Sequence, residues 1–322
     1  MLQPRTCLSL AFLFLLVSGA GSAVARAETP DSPNAIVGDS VTFESSDGVL
    51  LQGNLFKAEG DTRGAILFVH EPSRSQRDWA YMAQKMSRRG FTSLTFDLRG
   101  HGDSLMRGDE ELDREVFLTE DFEAMRLDVD AAMAMLESQS PEGTATHLIG
   151  ADLGSSLALM HAVDAAGVAS VAMISPGLGY DDVNIVGQAG SFGRPLLFVY
   201  SVEDSYSRKS AEVLAKEARG PTHTEVYYGV GHGTKMMSRE PALEAFLQSW
   251  FLGTIITPEG RALADTGKPE AGEKGVEGDI DVEAEKRKLD EQRKAVNQGV
   301  VKDDDEERGK KLGAPLDRGA RQ

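Results

Sequence analysis

Asp152 is set between two glycines, in Gly150-Ala151-Asp152-Leu153-Gly154, where the apolar run Ala145 to Ala151 gives way to a helical pattern. A carboxylate there meets free N–H groups and the positive end of the helix macrodipole, which favour its ionised, nucleophilic form. Asp is also a favoured N-cap, so the position has a purely structural use as well. His232, in Gly229-Val230-Gly231-His232-Gly233-Thr234, can take or give a proton near neutral pH. A second acid lies between them in the chain: Glu203 or Asp204 after the run Pro195 to Ser201, or Asp181 or Asp182 after Val168 to Ser175. Nucleophile, acid and histidine, in that order, are the parts of a covalent hydrolytic site.

Such residues need strand ends to hold them. Gly64 to His70, Phe91 to Asp97, Ala145 to Ala151, Val168 to Ser175, Pro195 to Ser201 and His223 to Gly229 are short, apolar or β-branched, and bounded by turn residues. Several are apolar at consecutive positions, the mark of strands covered on both faces. Between them, Phe122, Met125, Val129, Met133 and Leu136 advance by three or four, which puts them on one helix face. Trp79 to Arg89, Leu153 to Ala165, Ser207 to Ala218 and Glu240 to Phe251 are also expected to be helical, and a hairpin turning at Ser46-Asp47-Gly48 opens the series. Strand-helix alternation of this kind implies an α/β fold with a doubly wound, mostly parallel sheet and ligands at the carboxyl ends of its strands.

The ends of the chain read differently from the 28–252 domain. Arg5, the apolar run Leu8 to Ala20 and the small residues of Gly21 to Ala27 predict a secretory signal peptide over 1–27, too short to span a bilayer. Its removal takes away Cys7, the single cysteine, so the mature chain has neither disulfide nor thiol nucleophile, and an exported, periplasmic or secreted protein is expected. Residues 253–322 contain no aromatic side chain and crowd 14 basic and 17 acidic residues together, which predicts a disordered or single-helix charged tail. No partner for the tail is indicated. The whole chain carries a formal charge of −17, which disfavours nucleic acid and anionic membrane surfaces; a small-molecule substrate is expected.

Four motifs in order make the sequence resemble the α/β-hydrolase family from about Val41 to Leu252: His70-Glu71-Pro72 at the oxyanion-loop position, Asp97-Leu98-Arg99-Gly100-His101-Gly102-Asp103-Ser104, the Gly150 to Gly154 elbow with Asp where Ser is usual, and Gly229 to Thr234. The resemblance implies Asp152 as nucleophile, His232 as general base, Asp204 as the acid orienting it, and the backbone N–H groups of Glu71 and Leu153 as oxyanion donors. Asp204 is preferred to Glu203 because Ser-Tyr-Ser and a helical stretch follow it. A carboxylate attacking an acyl carbon would give a mixed anhydride, a poor intermediate. The family's haloalkane dehalogenases and epoxide hydrolases instead use an elbow Asp against an alkyl carbon. Leu153 stands where dehalogenases usually carry a Trp, and Pro176 to Arg194 is too short for the cap that carries the tyrosines of epoxide hydrolases. Tyr180, in that connection, reads as a rim residue.

The Glu71 side chain would oppose an oxyanion unless it pointed outward. His70 reads as a buried hydrogen-bonding residue, His101 as stabilising the turn with Asp97 and Arg99, and His147 and His161 as packing or surface residues. No cofactor or metal is expected. The reading is an exported hydrolase acting through Asp152, of dehalogenase or epoxide-hydrolase type; its alternative is an inactive binding protein that has lost the nucleophilic serine.

Overall fold

A computed structural model describes residues 38–181 and 183–253; the expected leader over 1–27, the tail beyond Gly253 and Asp182 lie outside the described residues. The elements in chain order are β1 (Asp39–Glu44), β2 (Val49–Phe56), β3 (Gly64–Val69), α1 (Ala80–Ser87), β4 (Phe91–Phe96), β5 (Met106–Arg107), β6 (Glu110–Glu111) and α2 (Thr119–Ser138). After them come β7 (Thr146–Ala151), α3 (Leu153–Asp164), β8 (Val168–Ile174), β9 (Gly179–Tyr180), β10 (Val183–Asn184), β11 (Leu196–Ser201), α4 (Ser205–Glu217), β12 (Thr222–Tyr227), α5 (Lys235–Arg239) and α6 (Pro241–Phe251). The main sheet has the order β12-β11-β8-β7-β3-β4-β2-β5-β6, with β1 on β2. From β12 to β4 neighbours run parallel, and the opening hairpin adds antiparallel strands at one edge.

Side chains alternate between the two faces of each strand, and both faces are covered, which explains the unbroken apolar runs. Ala65, Leu67 and Val69 of β3 join Val129 of α2, Leu157 of α3 and Leu214 of α4 in one core. Ile66 and Phe68 point the other way, into a second core with Trp79, Met82 of α1 and Leu247 and Trp250 of α6. On α2, Met125, Val129, Met133 and Leu136 are buried and Phe122 packs against them half-buried, as their spacing predicts.

One helix was not expected. The stretch after His232 contains the five-residue α5, too short to carry a periodic signal, and the helix expected over Glu240 to Phe251 follows it as α6. Glu240 explains the break: a residue before proline is pushed out of the helical region, here to φ −131° and ψ 89°, and its side chain caps the Ala242 N–H. The Leu105 to Glu120 connection also holds the short hairpin of β5 and β6 at the sheet edge.

The turn after β4 ties these parts together. Arg99 is buried and bonds Asp128 of α2 and Asp47 of the opening hairpin, each at 2.7 Å. His101 contacts the Arg99 carbonyl at 2.8 Å and the Pro72 carbonyl at 2.7 Å, which fastens this turn to the loop after β3. Asp97 accepts from the Asp103 N–H within the turn and from the Gln76 N–H outside it. Replacing Arg99 by Met would strand the buried Asp128 carboxylate, a loss of about 3–5 kcal/mol. Denaturant unfolding should show that loss as a lowered midpoint, while Arg107→Met, which breaks only the exposed pair with Glu110, should leave the midpoint unchanged.

Candidate active site

Asp152 joins β7 to α3 with φ 54° and ψ −128°, a left-handed conformation for a residue with a side chain. The two glycines make it possible. A Cβ on Gly150 would lie 2.2 Å from the Gly154 carbonyl oxygen, and one on Gly154 would lie 2.4 Å from the His70 carbonyl oxygen. Backbone strain of this kind costs about 1–3 kcal/mol, whereas an N-cap normally takes relaxed extended geometry. The Asp152 side chain also fails to reach the second or third N–H of α3; Oδ1 accepts only from Leu153, the next residue. Capping therefore does not account for this conformation.

The other oxygen, Oδ2, lies 2.7 Å from Nε2 of His232, and Nδ1 of the same ring lies 2.6 Å from Oδ2 of Asp204. Asp204 is itself fixed as the N-cap of α4, where Oδ1 accepts from the Ser207 N–H at 3.0 Å. Glu203, the competing acid, turns away to accept from Ser201 Oγ and the Gly229 N–H. Asp181 sits in the β9–β10 turn with φ 45°.

Both ring nitrogens of His232 thus face carboxylate oxygens, which only accept. An imidazole satisfies two such partners by carrying two N–H groups, as the imidazolium. Burial opposes that charge, but the bonds to Asp152 and Asp204 and their negative charges outweigh it and push the pKa up to about 10. For Asp204, burial acts upward and the bonds from His232 and Ser207 more than offset it, so its pKa is lowered. The geometry of this state favours the protonated ring.

The Leu153 N–H, expected as an oxyanion donor, donates to Oδ1 of Asp152. The Glu71 side chain does not point outward: it is 4% exposed and turns inward, where its carboxyl accepts from the Thr234 N–H at 3.2 Å. The space it fills exists because Gly233 has no Cβ; one there would lie 1.5 Å from Glu71 Oε2. His70 is fully buried, donates from Nδ1 to the Glu71 carbonyl and accepts the Leu98 N–H at Nε2; burial pushes its pKa down to about 3, so it is a neutral support for the loop.

Tyr180 lies closer to the chemistry than a rim residue would, its ring edge-on to His232 at 6.3 Å and its hydroxyl donating to the Ser175 carbonyl at 3.1 Å. Burial, then the Asp152 charge, raises its pKa. Ser175 was not legible as a site residue. Buried at the end of β8 with φ 48°, it accepts the Gly233 N–H at 2.9 Å and so holds the His232 loop. Farther away, His147 is packed against Ser170 and Phe251, and His161 pairs with Asp130.

The model of the alpha/beta hydrolase family matches residues 66–267, more than half of the chain. The chain belongs to the alpha/beta hydrolase family. Its fold is similar to that of a dienelactone hydrolase from Anabaena variabilis, at 18% identity and a TM-score of 0.52, over 67% of this chain and 97% of that one. A thermostable carboxyl esterase from Bacillus coagulans aligns at 14% identity and 0.55, over 67% and 98%, and a monoglyceride lipase from Saccharomyces cerevisiae at 12% and 0.54, over 72% and 100%. No curated protein sequence matches the chain.

The two-carboxylate clamp on His232 has a pH signature. Its folded pKa lies above the ordinary value of 6.5, so the clamp's contribution to stability is fully present below that value and is lost as pH rises from there towards 10. An NMR titration of the imidazole should show this raised midpoint. Asp152→Asn should lower it by roughly 1–3 units, the usual effect of one close opposite charge.

Proposed function

We propose that this alpha/beta hydrolase cleaves a bond at a saturated carbon of a small molecule, with the Asp152 carboxylate as nucleophile and an alkyl ester on Asp152 as intermediate. The observation that carries this reading is the division of the carboxylate within a strained elbow, Oδ1 on the Leu153 N–H and Oδ2 towards His232. In the first step Oδ2 forms a bond to the substrate carbon and the leaving group departs with its electron pair as an anion. Asp152 loses its charge, so His232 loses one of the two partners that held its proton and releases that proton to solvent.

Neutral His232 is then the base the second step needs. Nε2 takes a proton from water as the water oxygen attacks the Asp152 carboxyl carbon, and negative charge gathers on Oδ1, already beside the Leu153 N–H. Collapse expels the product alkoxide, which takes the remaining hydroxyl proton and leaves as an alcohol. Asp152 returns as a carboxylate and His232 keeps the proton from water. The net products are an alcohol, the leaving anion and the one proton first released.

Acyl chemistry fits less well, because attack on an acyl carbon would end in a mixed anhydride. Within the alkyl class, the Tyr180 hydroxyl is engaged by the Ser175 carbonyl. That supports a leaving group that departs as a stable anion, as a halide does, over an epoxide oxygen that must gain a proton. The leader expected at 1–27 supports action outside the cytoplasm.

His232→Gln, incubated with a panel of haloalkanes and haloacids, should accumulate an adduct on Asp152, visible as a mass increase equal to the substrate's alkyl group. Asp152→Asn should show none. An adduct of equal yield in Asp152→Asn would place the alkylation elsewhere and remove the nucleophile from this reading.

A further inference from the structure

Glu71 brings a third carboxyl group to a site that already holds two, and it has few donors around it. Thr234 Oγ1 lies 2.6 Å from Asp78 Oδ2 and 3.4 Å from Glu71 Oε1. A threonine hydroxyl has one hydrogen to give. Asp78 takes it, being the closer acceptor and itself gripped by Arg74 at 2.5 and 2.9 Å. The contact between Thr234 Oγ1 and Glu71 Oε1 is then a hydrogen bond only if Glu71 supplies the proton.

The rest of its surroundings agree. Arg74 Nε spends its hydrogen on Asp78 and stands 3.9 Å from Glu71. The Thr234 N–H at 3.2 Å is the bond that Glu71 Oε2 accepts, a meagre shell for a buried carboxylate. The charged groups that act on Glu71 are Asp152, Asp78, His232 and Arg74; the neighbouring His70 is neutral. Burial, then the Asp152 charge, raises the Glu71 pKa against the opposing Thr234 bond and the His232 charge.

We propose that Glu71 works in this site as an uncharged carboxylic acid, a positioning residue that locks the His232 loop onto the oxyanion loop through Thr234 and Gly233 without setting another negative charge beside Asp152. Its purpose rests on the hydrolytic reading above. An ionised Glu71 would repel the oxyanion that forms on Asp152 Oδ1 and would hold the proton on His232 when that residue must become a base. The neutral acid does neither. It also removes the objection that a glutamate at position 71 is out of place beside an oxyanion site.

The test reads the charge of Glu71 in the full-length protein without any substrate, so its outcome is separate from whether Asp152 proves to be a nucleophile. Carbon-13 NMR of protein labelled at the glutamate side-chain carboxyls, with the Glu71 signal assigned by its absence in Glu71→Gln, follows protonation against pH. The signal should titrate above the ordinary glutamate value of 4.5 and remain that of the acid at neutral pH. The Gln variant, which keeps an acceptor for the Thr234 N–H and a donor for its hydroxyl, should leave the His232 ring signals at neutral pH where they are in the parent. A Glu71 signal that is already that of the carboxylate at neutral pH, or His232 ring signals at neutral pH that shift in Glu71→Gln as they would on loss of a negative charge, overturn the proposal.

Discussion

The imidazole of His232 sits between two carboxylates, 2.7 Å from Asp152 and 2.6 Å from Asp204, and each part of the surrounding chain serves that alignment. Three charges this close, partly removed from water, attract or repel by several kcal/mol at a protein-like dielectric, so small displacements matter. The clamp is anchored on three separate strand ends. Asp152 follows β7, Asp204 follows β11, and His232 follows β12, while the strand between the first two, β8, contributes Ser175 to hold the histidine loop. A parallel sheet brings these ends to one edge, which is why residues far apart in sequence meet there.

Strain at Asp152 is tolerated because the elbow is determined from several sides. Its N–H donates to Ile174 of β8, Ser155 Oγ bonds its carbonyl, and the flanking glycines let α3 approach the loop that carries His70 and Glu71. That loop is in turn tied by His101 to the turn whose Arg99 reaches α2 and the first hairpin. The polar network is therefore continuous from the opening strands to the elbow's neighbour. A rigid shell of this kind is what a nucleophile needs if it is to meet substrate without reorganising.

Much of this was readable in the residues because the local rules and the global fold agree. Strand runs bounded by Gly and polar turns, and the stepwise spacing from Phe122 to Leu136, reflect burial on both sheet faces, which single residues encode well. The order of Asp152, Asp204 and His232 could be read for the same reason, since each falls at a strand end. What stayed hidden depends on contacts between distant segments. Nothing near position 71 announces that a missing Cβ at Gly233 makes room for its carboxyl, and nothing near 175 announces that its hydroxyl receives the Gly233 N–H. The protonation of His232 was also out of reach, because it is set by two partners aligned at once. The esterase and lipase structures share the architecture at 12–14% identity, a likeness that reaches the fold alone.

The central claim, that Asp152 is the atom donor in a covalent cycle, is tested most directly by single turnover in heavy-oxygen water with a haloalkane or haloacid that yields the adduct in His232→Gln. Because water attacks the Asp152 carboxyl carbon, the alcohol formed in the first turnover takes its oxygen from the enzyme, and one Asp152 oxygen is replaced from solvent. Peptide mass analysis should then find the heavy isotope in the fragment that contains Asp152. Turnover that puts the heavy oxygen in the alcohol and leaves that fragment unlabelled would mean that water attacks the substrate directly, and would contradict the account.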